Sequence, residues 1–275
     1  MIAKVLDVDA LFENYIKDYV LKSVGKIKPE EIENQIPKLY EKFGQEKLKE
    51  LGGLSPVEFY QNNTSKDNVE LLKLHVENQV CVSDFLTQAL INSDSEKEIV
   101  KALNESEEEE FLCYLISILN DKNCSLCAKR YLEFVLYDYS ENLRELATES
   151  LYSFADEVAG EIIKEFENLS PNKKECALDI LSHVNEKKDE IFDLLISEFV
   201  KNPKKTALYA GFLARYKDER ALAFLYAKIE EENLSYADFE ELRFAIETLG
   251  GEYNKERDFS KDKYYNIIKG RVNKN

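Results

Sequence analysis

The stretch DERALAFLYAKIEEENLSYADFEELRFAIETLGG, residues 218–251, reads as two helices joined by a short polar turn. The second helix carries Ala245 and, one turn later, Leu249. The same pair recurs upstream. Leu119, Leu151, Leu181, Leu213 and Leu249 follow one another at gaps of 32, 30, 32 and 36 residues. Four residues before each stands Leu115, Ala147, Ala177, Tyr209 or Ala245. The first helix of each pair has its own anchor, at Ile99, Tyr131, Ile162, Leu195 and Leu225. A period in this range is the signature of stacked helical hairpins, in which each unit buries its second apolar stripe only against the next.

Five hairpins follow from this spacing. Their first helices are expected near 95–104, 124–138, 156–168, 187–201 and 218–232, and their second helices near 106–120, 140–154, 171–184, 203–216 and 235–250. Cap residues stand where second helices should begin: Ser106, Ser140, Ser170-Pro171, Asn202-Pro203 and Ser235. Composition agrees, because nine Gly and five Pro in 275 residues are few for a protein built on strands and turns.

Before residue 94 the period is absent. Residues 9–24 form an amphipathic pattern through Leu11, Phe12, Tyr15, Ile16, Tyr19 and Val20. Pro29 opens a second helix whose apolar face runs Ile32, Ile36, Leu39, Tyr40 and Phe43, with Gly44 at its end. In LGGLSPVEF, residues 51–59, Gly52 and Gly53 end one short helix, and Ser55, Pro56 and Glu58 form a capping box for the next. No strand precedes the Gly-Gly pair and no Lys-Ser/Thr follows it, so it does not read as a phosphate loop. Residues 68–92 are apolar nearly all round and read as one long buried helix.

The segment 218–251, with Asp218-Glu219-Arg220 before its first helix and Ala245-x-x-x-Leu249-Gly250 closing its second, resembles a HEAT-like repeat of the bacterial short type. Residues 140–155, SENLRELATESLYSFA, resemble the second helix of such a repeat. The resemblance spans roughly 94–251. It departs from the pattern at Tyr209, in the final gap of 36, and in having the second-helix arginine only at Arg144 and, shifted by one, Arg243. It implies an all-α fold, a right-handed α–α superhelix or solenoid, with an N-terminal helical region. The expected organisation is residues 1–93 capping the solenoid, 94–252 forming five hairpins, and 253–275 forming a basic C-terminal helix or tail with Tyr264, Tyr265, Ile267 and Ile268 sealing the last repeat. It also implies a tendency to bind partners, but no single activity.

The net charge is −17. A strongly acidic surface repels phosphates, which argues against nucleic acid as partner. The charge is uneven: residues 94–110 hold eight acidic and two basic side chains, whereas 255–275 hold seven basic and three acidic ones, which could solvate a terminal helix or dock on an acidic surface. There is no apolar run long enough to span a membrane and no leader-like start at MIAKVLDVDALFENY, so a cytoplasmic protein is expected. Five cysteines, an odd count with four of them in helix-like patterns, suit reduced thiols. Thirty Lys against seven Arg and no Trp suggest an AT-rich bacterial genome.

Candidate chemistry is sparse. Cys124-Ser125-Leu126-Cys127 is a lone CxxC without the second ligand pair that zinc requires. A redox pair is the alternative to two small residues at a helix start. Cys176, Asp179 and His183 suggest a Cys-His-Asp site, yet Cys176 and His183 lie two turns apart, roughly 10 Å, beyond proton-transfer reach. Glu107–Glu110 spread around their helix instead of converging. No catalytic residue, cofactor site or metal site is expected.

Three residues before each anchor leucine stand Ile116, Thr148, Leu178, Ala210 and Ile246. This row is either the seam between repeats or an apolar strip along a concave groove, with Tyr152, His183, Arg215 and Arg243 as neighbours able to anchor a partner. The expected function is a non-enzymatic adaptor whose second-helix face binds a protein or peptide, with a basic or amphipathic segment as the natural partner. An enzyme on the same scaffold is the alternative. A bilin lyase fits the repeats without a specific residue, and a DNA glycosylase conflicts with the charge and the absence of Trp. A toxin–antitoxin or phage-response component has no discriminating feature in the sequence.

Overall fold

The computed structural model describes residues 5–23 and 29–272. Among these residues the fold is all-helical, with no β-strand. The chain divides into two compact units, Met1–Arg130 and Tyr131–Asn275.

In the first unit, α1 (Val8–Ser23) lies against α3 (Ile36–Phe43). The predicted end of α1 at residue 24 lies outside the described residues. The helix expected to run from Pro29 to Phe43 is interrupted. A short α2 (Pro29–Glu33) gives way to a turn at Asn34-Gln35 before α3. The cause is Pro37, which has no N–H to give the carbonyl of Glu33 four residues back and whose ring crowds it. Gly44 does follow α3, but in ordinary right-handed helical backbone (φ −57°). Its constraint is space: a Cβ built there would sit 2.5 Å from Phe85 Cε1, and the Phe85 ring stacks on Tyr40 at 4.6 Å. We expect Gly44→Ala to force this ring aside and cost about 1–3 kcal/mol, the range for overpacking a filled core. An unchanged urea midpoint would show that the ring yields freely.

Gly52 and Gly53, both left-handed (φ 67° and 85°), close a turn in which Leu48 pairs with Leu54, and the short helix expected to end at them is absent. The capping box before α4 (Pro56–Gln61) is present: the Ser55 hydroxyl accepts from Glu58 N–H, and Ser55 N–H donates to the Glu58 carboxylate at 3.0 Å. A second box, from Thr64 and Asp67, opens α5 (Ser65–Glu77). The single helix expected over 68–92 is two. Between α5 and α6 (Asp84–Asn92), Gln79 is left-handed (φ 54°), His75 Nδ1–H donates to the Cys81 carbonyl at 2.7 Å, and Ser83 caps α6. The first predicted hairpin, α7 (Glu96–Glu105) and α8 (Glu109–Asp121), packs on α5 and α6 within this unit. The cap of α8 is Glu108, whose carboxylate accepts from the N–H groups of Glu110 and Phe111, and not Ser106. Helix α9 (Ala128–Leu136) runs across the division between units.

The second unit contains α10 (Glu141–Ser150), α11 (Ala155–Glu165), α12 (Pro171–Ser182), α13 (Asp189–Lys201), α14 (Thr206–Tyr216), α15 (Leu222–Ile229), α16 (Tyr236–Thr248) and α17 (Lys263–Val272). Short 3-10 turns at 152–154, 166–168, 203–205 and 219–221 extend several of them to the lengths expected from sequence. Three successive pairs pack together, α11 with α12, α13 with α14 and α15 with α16, while α10 packs on α12, α12 on α14 and α14 on α16. The anchors lie inside: Leu151 and Leu181 are fully buried, as are Ala147, Ala177 and Ala245.

The segment after Gly251 is held to its own unit. Arg257 donates to the carbonyl of Ile229 at the end of α15 and to that of Glu231 just beyond it. Asp262 accepts from the N–H of Tyr236 at the start of α16, and Tyr236, Phe239, Tyr253, Phe259 and Tyr265 form an aromatic cluster. Of the basic side chains of this segment, Arg257 is docked on these carbonyls and Lys255 pairs with Glu230. Residues 273–275 lie outside the described residues. In α17, Tyr264 and Ile267 face solvent, so this helix seals with only part of its apolar surface.

Candidate partner-binding face

Helices α10, α12, α14 and α16 of the second unit each have a buried and an open face, and the anchor leucines define which is which. A residue three before the anchor is turned about 60° from it, inside the buried stripe, whereas residues two and five before it lie about 140–160° away. The structure follows this arithmetic. Thr148, Leu178, Ala210 and Ile246 are at most 4% exposed, and so is Ile116 in the first unit. These five residues therefore line the interior and offer no strip to a partner. Thr148 spends its hydroxyl on the Arg144 carbonyl at 2.8 Å. Of the eight positions so defined, Glu149, Leu208, Phe244 and Glu247 are exposed, and Leu146, Cys176, Asp179 and Gly211 are half-buried. Leu208 and Phe244 are 41% and 61% exposed, which is high for side chains of this size.

Of the four neighbours expected from sequence, three come together. Tyr152 donates to Asp179 Oδ2 at 2.8 Å, Arg215 pairs with Asp179 Oδ1 and donates to the Ser182 hydroxyl at 3.0 Å, and the His183 ring stacks on Tyr152 with centroids 3.9 Å apart. Arg243 does not join them, because it is held along its own helix by Glu240 and Glu247. Burial, and then the Arg215 charge, holds His183 below its ordinary pKa, so the imidazole is neutral at pH 7. Burial and the hydrogen bond to Asp179 push the Tyr152 phenol up. Burial also pushes the Cys176 thiol up, which keeps it protonated. The Cys-His-Asp trio is thus not assembled as an activated nucleophile: Asp179 serves Tyr152 and Arg215 instead.

A notch of about 210 Å³ opens between α10, α12 and α14. Four carboxylates line it: Glu145, Glu149, Glu175 and Asp179. Lys205 pairs with Glu175 and Arg215 with Asp179, while Glu145 and Glu149 have no ion-pair partner among the described residues. Leu208 and Phe212 form its apolar side. The sequence row missed Glu145, Glu149, Leu208 and Phe244. The signal that locates them is the helical offset from the anchors, read on the side opposite the core.

In the first unit, the Sγ atoms of Cys124 and Cys127 lie 4.0 Å apart, buried and without a disulfide. Glu107 pairs with Arg130 at 3.2 Å. Among the described residues no group of three His, Cys, Asp or Glu side chains could hold a metal ion, and no helix is long and apolar enough to cross a membrane. Compared with family models, with curated proteins and with solved structures, the chain finds no match.

Proposed function

We propose that the protein is a non-enzymatic adaptor of the HEAT-like helical-repeat type, and that the open face of α10, α12, α14 and α16 receives a basic amphipathic segment of a partner protein. The observation that carries this reading is the notch with two unpaired carboxylates, Glu145 and Glu149, bordered by exposed Leu208 and with Phe244 at the equivalent position of the next helix. The succession of α10, α12, α14 and α16, each packed on the next, supports the repeat assignment. A partner cation entering the notch meets carboxylates that need not break an existing pair, and its apolar neighbours cover Leu208 and Phe244.

The test is capture from a cell extract by the full chain and by two variants, Glu145→Lys/Glu149→Lys and Phe244→Glu. All three positions are exposed, so stability should change by no more than about 0.5 kcal/mol each. A protein retained by wild type, lost by both variants with unchanged circular dichroism, and released by moderate salt is the expected result. Equal retention by all three would refute the assignment of this face.

A further inference from the structure

The first unit holds a second pocket, and its chemistry is the opposite of the acidic notch. It lies between α4, α5 and α6, encloses about 450 Å³ and has no charged side chain in its lining. That volume is in the range of sites that hold small ligands or short chain segments. Gln61, Asn63, Gln88 and Asn92 bring four carboxamides to its lining, and Phe85 and Ala89 add apolar surface. Asn68, only 2% exposed, fixes one of them: its Nδ2 donates to the Tyr60 carbonyl at 2.8 Å, and its Oδ1 accepts from Asn63 Nδ2 at 3.0 Å. The Asn63 carboxamide is therefore held in place before any ligand arrives.

The geometry points to a binding site for an uncharged, extended peptide segment. A carboxamide carries the same donor and acceptor pair as a peptide group and can meet one with both. Gln88 and Asn92 are four residues apart on α6, a rise of about 6 Å, and alternate residues of an extended chain recur every ~6.6–6.8 Å, so successive carboxamides meet successive same-side peptide groups. Phe85 and Ala89 have the same spacing on the same helix and supply apolar surface for small side chains of the intervening residues. A charged ligand side chain would lose water here without gaining a counter-charge. This site is separate from the face proposed above and does not depend on it.

The test uses the full chain, labelled with ¹⁵N, and follows the side-chain NH₂ signals of Gln88 and Asn92 as a pool of end-capped, uncharged pentapeptides is added. In parallel, maltotriose probes for a neutral sugar. The peptide pool should shift both signals and maltotriose should not. Peptides isolated from the pool should carry small apolar residues at alternate positions. Gln88→Ala/Asn92→Ala should weaken the best of them tenfold or more, the loss expected from two carboxamides with paired hydrogen bonds. Both positions are exposed, and circular dichroism checks that the double variant keeps its helices. Unmoved signals with the peptide pool, an affinity indifferent to the double variant, or a response to maltotriose alone would each overturn the proposal.

Discussion

Leu178→Glu should abolish the native fold of the Tyr131–Asn275 unit, whereas Leu208→Glu, on the neighbouring helix α14, should leave it intact. Leu178 has no exposed surface, and Leu208 is 41% exposed. Truncating a buried leucine costs about 2–5 kcal/mol, and leaving an unpaired carboxylate in the interior adds several more. Set against a total stability of about 5–15 kcal/mol, this leaves little or nothing of the native state. At position 208 the new carboxylate stays in water, and a change within about 0.5 kcal/mol is expected. Far-UV circular dichroism with urea titration distinguishes the two. Equal midpoints for both variants would mean that the row through Leu178 is accessible and that the assignment of buried and open faces is reversed.

The second large effect belongs to Lys122. Its side chain is only 5% exposed, and its ammonium donates to the carbonyls of Ile91 at 2.8 Å and Ser93 at 2.6 Å, approaches that of Leu90 at 3.4 Å, and pairs with Glu96 at 3.3 Å. One cation thus satisfies the carbonyl end of α6, where the helix has unmade hydrogen bonds, and ties it to the first turn of α7. Lys122→Met keeps the aliphatic stem and removes the charge. We expect a loss of about 3 kcal/mol, the range for breaking a buried charge out of its set of partners. The midpoint in urea should fall with little change in slope. A loss under about 1 kcal/mol would show that water reaches these carbonyls and replaces the ammonium.

Much of the helical architecture was readable because it depends on local pattern. The period of the anchor leucines placed the helices of the second unit, and Ser55, Ser140 and Ser235 cap where a cap was expected. Reading failed where a local signal was absent or tertiary. The break after α5 turns on Gln79 in left-handed backbone, a conformation that glycine or asparagine announces and glutamine does not. Pro37 was a local signal, and the apolar spacing across it concealed the interruption of the helix. The candidate face was misplaced by the choice of offset: a row 60° from the anchor looks continuous in sequence and is buried in space. Lys122 and the carboxamides around Phe85 have no sequence signature, because their partners come from segments that only folding brings together.

The docked segment after Gly251 bears on how copies of this protein meet. A helix laid against an identical neighbour presents the same flank again, and a contact of that kind does not close on itself but grows into a filament. Here the outer side of α16 is already occupied by Phe259 and Tyr265 from its own chain, the carbonyl end of α15 by Arg257, and the first N–H of α16 by Asp262. A second copy arriving at this flank finds Phe239 and Tyr236 covered, with Tyr264 and Ile267 of α17 as the apolar side chains left in water. The chain itself thus removes part of the apolar surface on which such growth would depend.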